Sequence, residues 1–138
     1  MNKNELEEVF HIKKEIDDLD KRISRLRKQS IMVGDVVQNG YKRHAHIYGE
    51  DIKRTYKLHG LENKFDKYQI MLINKQNEIE EYIEVIPFSE IRQIFRLRYL
   101  DNKNWVQISH EMNSLYKSRE YTEDSVRHKH DRYLEKNK

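Results

Sequence analysis

Val9, Ile12, Ile16, Leu19, Ile23 and Leu26 lie alternately three and four residues apart, and most positions between them are charged or polar. That period lays a narrow apolar seam along one side of a helix, as in a coiled coil. Asp17 with Lys21, and Asp18 with Arg22, add favourable pairs four residues apart. Glu5, Glu7 and Glu8 near the start and Arg25, Arg27 and Lys28 near the end complement the helix dipole. The spacing predicts a helix over about 4–29. A second seam of Leu61, Phe65, Tyr68, Leu72, Ile79, Tyr82 and Ile86 predicts another over about 61–86, interrupted at Lys75. Pro87 stops it, because proline disfavours helix in the residue before it. Between the seams, Gly34, Gly49, Gly60 and the Asn39-Gly40 pair break the period. An irregular linker is expected over about 30–60, with a short β-hairpin placing Val36 and Val37 against Tyr41.

Two seams of similar length favour an antiparallel helical hairpin within one chain. The rival is a homodimer through the first helix, where β-branched Val9, Ile16 and Ile23 alternate with Leu19 and Leu26 in the pattern of two parallel strands. The hairpin is preferred, with dimerisation through the helical arm as a further possibility.

The period changes after Pro87. Residues 89–100 form an amphipathic helix with Ile91, Ile94, Phe95 and Leu97 to Leu100 on its apolar face and Ser89 as its N-cap. Arg92, Arg96 and Arg98 lie off much of that face, placed for phosphates or for solvent. Asp101 to Asn104 make a turn, and Asn104 caps a short helix carrying Trp105, Ile108 and Met112 on one side, with the small Ser109 beside them. A polar loop, 113–121, leads to a last helix capped by Thr122, with Glu123 and Asp124 in its first turn. Val126, His130, Tyr133 and Leu134 share its inner side, leaving Ser125, His128 and Arg132 central on the outer side, flanked by Arg127 and Lys129. Two short helices joined by a polar turn, the last one basic through its middle, is an arrangement that reads double-stranded DNA in the major groove. Arginine can donate two hydrogen bonds to guanine, and serine and histidine one each to base edges. Lys117 and Arg119 in the preceding loop add cations for the backbone. Asp124, Asp131 and Glu135 near the same face would repel phosphate and restrict the pose.

Composition narrows the alternatives. Charged residues make up 37% of the 138 and hydrophobic ones 36%, so a thick core is out of reach and long helices with thin seams are the natural solution. One proline and four glycines agree with an all-α chain. The absence of cysteine excludes disulfides and thiolate metal sites, and no apolar run reaches membrane-spanning length. A cytoplasmic place is expected, with no membrane contact. Net charge is only +3, so distribution matters more than the total, and residues 88–138 are the most basic third, with eleven Lys and Arg against eight Asp and Glu.

Other chemistry has thin support. His128 and His130 sit two apart on a helix and face different ways, while His44 and His46 lack an evident third ligand, so no metal or cofactor is expected. There is no phosphate loop, nucleophile elbow or His-Glu-x-x-His pattern, and the chain is not expected to be an enzyme. The run of Glu78, Glu80, Glu81 and Glu84 is read as a solvated helix face, and Tyr68, Tyr82, Tyr99 and Tyr133 as core residues with wet tips. Tyr41, Tyr48 and Tyr56 could stack on single-stranded bases.

Residues 91–134 resemble region four of bacterial sigma factors, through Arg98-Tyr99-Leu100, Trp105-x-x-Ile108, Ser125-Val126-Arg127 and His130-Asp131-Arg132. The chain is more similar still to a family of small sigma-like regulators encoded by phages and prophages of Gram-positive bacteria. Asp35-Val-Val-Gln-Asn-Gly40 and Tyr82-Ile-Glu-x-Ile-Pro87 look like that family's linker and domain junction. The resemblance implies promoter recognition in a bacterial host cell, in concert with RNA polymerase. The loop over 113–121 is longer than in a minimal helix-turn-helix and departs from the pattern. The expectation is therefore an all-α protein: a coiled-coil-like helical hairpin over 1–87, then a three-helix helix-turn-helix module over 88–138, with DNA contacts at Ser125, Arg127, His128, Lys129, Arg132, Arg119 and Lys117. The alternatives are a factor that uses the same motif to dock and inhibit a host protein, or a phage DNA-packaging subunit.

Overall fold

The computed structural model describes the backbone of residues 1–38 and 44–137, and the side chains of 1–29 and 52–137. Within those residues all regular structure is helical: two long helices forming a hairpin, α1 (Lys3–Gln38) and α2 (His44–Glu84), then α3 (Ser89–Phe95), α4 (Trp105–Leu115) and α5 (Glu123–Lys136). The end of α3 continues as a π-helical turn over Arg96–Leu100. None of the described helices is long and apolar enough to cross a membrane.

The expected irregular linker gives way to helix over 30–38 and 44–60, with Gly34, Gly49 and Gly60 inside the two long helices. A single glycine costs a helix only about 1 kcal/mol relative to alanine, which flanking helical turns can override. Val36 and Val37, expected in a β-hairpin, are helical, while Asn39-Gly40 and Tyr41 lie outside the described residues. Gly60 has a helical backbone and nothing within 4 Å of where a Cβ would stand. Gly60→Ala is therefore expected to raise stability by about 0.4–1 kcal/mol, read as a higher urea midpoint with unchanged slope.

The chain divides into two compact units that do not follow the expected boundary at residue 88. One is a two-helix unit, Ile12–Met71; the other joins Met1–His11 to Leu72–Lys138. In the two-helix unit, Ile12, Leu19 and Ile23 are buried on α1, with Ile16 and Leu26 half-buried. On α2, Leu58, Leu61, Phe65 and Tyr68 are only half-buried, because two helices alone cannot enclose a seam. Arg27 donates to Glu62 at 2.9 Å, an exposed pair that joins the helices within one chain and contributes little energy.

The other unit holds two apolar clusters. Leu6 and Val9 of α1 meet Ile79, Ile83 and Ile86 from the end of α2, together with Phe95, Tyr99 and Leu134. Ile94 of α3 and Leu97 of the π turn pack with Ile108, Met112, Tyr121 and Val126. The sequence Ile94-Phe95-x-Leu97-x-Tyr99 thus serves both clusters from one short element. Its π turn is visible in the Asp101 N–H donating to the Arg96 carbonyl, five residues back, at 3.0 Å. Asn102 then adopts φ 56°, the left-handed conformation asparagine tolerates better than most side chains, and the helix ends.

Candidate nucleic-acid interface

Local sequence signals place α4 and α5 largely as expected. Asn104 accepts from the Gln107 N–H at 2.8 Å while the Gln107 side chain accepts from the Asn104 N–H at 3.0 Å, a reciprocal cap. Thr122 does the same for α5 with Ser125. Ser89 is not the cap of α3: Phe88 occupies that position with no side-chain bond, since its carbonyl already accepts the first helical N–H, that of Arg92.

The inner face of α5 buries Val126, His130 and Leu134, with Tyr133 half-buried. His130 is fully enclosed by the rings of Phe95, Tyr99 and Trp105, at centroid distances of 4.8, 5.6 and 4.9 Å. The Tyr99 hydroxyl lies 2.6 Å from its Nε2, and Asp131 accepts at 2.9 Å from Nδ1. With Nδ1 protonated and Nε2 accepting, both ring nitrogens of a neutral imidazole are satisfied. Burial holds the His130 pKa below its ordinary value, against the opposing pull of Asp131. Burial likewise pushes the Tyr99 hydroxyl well above the usual tyrosine range.

The outer face exposes Arg127, His128, Asp131 and Arg132. Arg132 donates to the His128 Nε2 at 2.8 Å, so two of the expected base-reading residues stand together. Arg127 is exposed and pairs with Glu123 one turn earlier at 2.7 Å, a contact weak enough to be exchanged for a phosphate. Lys117 is exposed in the loop before α5.

The remaining expected contacts have other work. Ser125 is half-buried, and its hydroxyl both accepts from the Thr122 N–H and donates to the Thr122 carbonyl, so it belongs to the helix cap. Lys129 lies 2.6 Å from Glu90 and above the Tyr121 ring, and Arg119 bonds the same Glu90 carboxylate. Glu90, mostly shielded on α3, thereby ties the loop and α5 to the first helix of the module. Arg92 donates to the Ile86 carbonyl at 2.6 Å, Arg96 pairs with Glu84 at 3.3 Å, and Arg98 lies between the rings of Phe10 and Trp105 at 5.0 and 4.8 Å while bonding the Lys103 carbonyl. All three arginines considered for phosphate contact thus brace the fold. The expected loop over 113–121 begins only after Leu115, since α4 runs on through Asn113, and it is pinned as well: the Asn113 side chain bonds both the N–H and the carbonyl of Tyr121, which is 4% exposed.

Tyr56, considered for base stacking, is exposed on α2; the side chains of His44, His46 and Tyr48 lie outside those described. Among the described residues no three His, Cys, Asp or Glu side chains gather to hold a metal ion. Comparisons of this chain with protein-family models, with curated proteins and with solved structures find no match.

Proposed function

We propose that the protein is a non-enzymatic transcriptional regulator that reads double-stranded promoter DNA through the α4–α5 helix-turn-helix. The observation that carries this reading is α5 itself: capped at its start, anchored by Val126, His130 and Leu134, and presenting the adjoining His128 and Arg132 outward. Arg132 and His128 would meet base edges, and Arg127 and Lys117 the phosphates. Lys129, Arg119 and Ser125 would act from behind, by fixing where α5 stands. In line with the resemblance to sigma region four and to sigma-like phage regulators, the module would work with RNA polymerase, with the helical arm serving dimerisation or polymerase contact.

The test is selection of bound duplexes from a random pool, followed by gel shifts on the enriched site. Arg132→Ala is expected to weaken binding by about 1–3 kcal/mol and to relax preference at one base pair. Undiminished binding by the Arg132→Ala, His128→Ala double variant would remove the assignment. Glu123, Asp124, Asp131 and Glu135 on the exposed side of α5 favour a second reading, docking of a protein partner. Neutralising those carboxylates separates the two, because it should leave or strengthen binding to phosphates and weaken a protein contact that uses them.

A further inference from the structure

Between the start of α3 and the last turns of α5 lies a cleft of about 280 Å³ lined by Phe88, Ile91, Tyr133, Lys129, Arg132 and Lys136, with Glu90 in its wall. Phe88 is 61% exposed there, and the capping arrangement gives its ring no structural duty, since the cap bond uses only its backbone carbonyl. An exposed phenylalanine beside two half-buried apolar side chains, rimmed by cations, is the composition of a recognition pocket more than of a solvated surface.

We propose that this cleft docks an acidic peptide segment of a partner protein, taking one bulky apolar side chain against Phe88, Ile91 and Tyr133 and carboxylates against Arg132 and Lys136. Charge complementarity sets the partner's sign: Glu90 is already paired with Arg119 and Lys129, which leaves Arg132 and Lys136 as the cations that face a partner. The chemistry of the floor sets the kind of group that enters. A nucleobase stacked on Phe88 would find little to read its polar edges, since Phe88, Ile91 and Tyr133 offer a single hydroxyl between them. An aromatic or aliphatic side chain has no such edge to satisfy. Flanking carboxylates then find Lys136 and Arg132 at the rim, where charged hydrogen bonds add orientation.

The experiment uses the full chain and a short fluorescein-labelled peptide with one phenylalanine flanked by aspartates and glutamates, followed by fluorescence anisotropy. Saturable binding is expected, weakened about tenfold or more by Phe88→Ala and by Lys136→Glu, each an exposed position. Both variants should melt with the parent, and Phe88→Ala should leave duplex binding unaltered, so failure here and failure of the DNA reading are separate results. A peptide with serine in place of its phenylalanine, or with neutral flanks, should bind correspondingly less. Absence of saturable binding, binding by either variant as tight as the parent's, or equal binding of the neutral-flanked peptide would overturn the proposal. So would displacement of the peptide by oligothymidylate with the same dependence on Phe88 and Lys136, which would assign the cleft to single-stranded nucleic acid.

Discussion

Replacing Phe95 by alanine is expected to destabilise the protein by about 3–5 kcal/mol, the range for deleting a fully buried aromatic ring. Phe95 has no exposed surface, and its ring meets those of Tyr82, Tyr99, His130 and Tyr133 at 6.2, 5.8, 4.8 and 5.6 Å. Those partners come from α2, the π turn and α5, so the void cannot be closed by moving one side chain. Such a loss is a large part of the 5–15 kcal/mol typical of a whole domain. Urea denaturation followed by tryptophan fluorescence suits the measurement, because Trp105 packs on His130, which itself packs on Phe95. Phe95→Leu should cost clearly less, since it keeps much of the volume. A loss below about 1 kcal/mol for the alanine variant would contradict a core centred on this ring.

Tyr99→Phe removes one oxygen and is expected to cost about 1–3 kcal/mol at pH 8, because it leaves the buried Nε2 of His130 without a donor. The effect should depend on pH. His130 titrates near 6.5 when unfolded and lower when folded, so the unfolded chain binds more protons between those values. The stabilisation from a neutral buried imidazole is therefore complete above about pH 6.5 and is lost as pH falls through the folded pKa. Tyr99 donates to the neutral ring, so its removal makes protonation easier and raises the folded pKa. The gap between parent and variant is expected to narrow towards acid, as denaturation at about pH 8 and pH 5 would show. An NMR titration of the His130 ring should report the same direction. A constant gap across that range would mean that the hydroxyl does not act through the imidazole.

Much of this architecture is legible in local sequence because it rests on local physics. The seams at Val9 to Leu26 and Leu61 to Ile86, the caps at Asn104 and Thr122, and the inner face at Val126, His130 and Leu134 all follow from helical period or from side chains three residues apart. Over 30–38 and 44–60 the sequence misleads because glycine breaks the apolar period yet is only a modest penalty inside a long helix. The candidate site was legible in part. His128 and Arg132 are one helical turn apart and their meeting is a matter of spacing. The inward pull on Lys129 and Arg119 comes from Glu90, on another helix, and no period announces it. Arg98 shows the same limit, since its position depends on Phe10 and Trp105 arriving from opposite directions along the chain. Basic residues in a run cannot be sorted into braces and contacts until their distant acids and rings are known.

The cluster that joins Leu6 and Val9 to Leu134 has a consequence for how the molecule is made. Leu6 and Val9 leave the ribosome well before Leu134, so that core cannot seal until Leu134 has emerged. Early segments must wait with their apolar edges uncovered, and closure over so long a span slows the final step. Nascent chains held on stalled ribosomes before residue 134 should accordingly be cut by protease within the first turns of α1, around Leu6 and Val9, and protection there should appear only once Leu134 has cleared the exit tunnel.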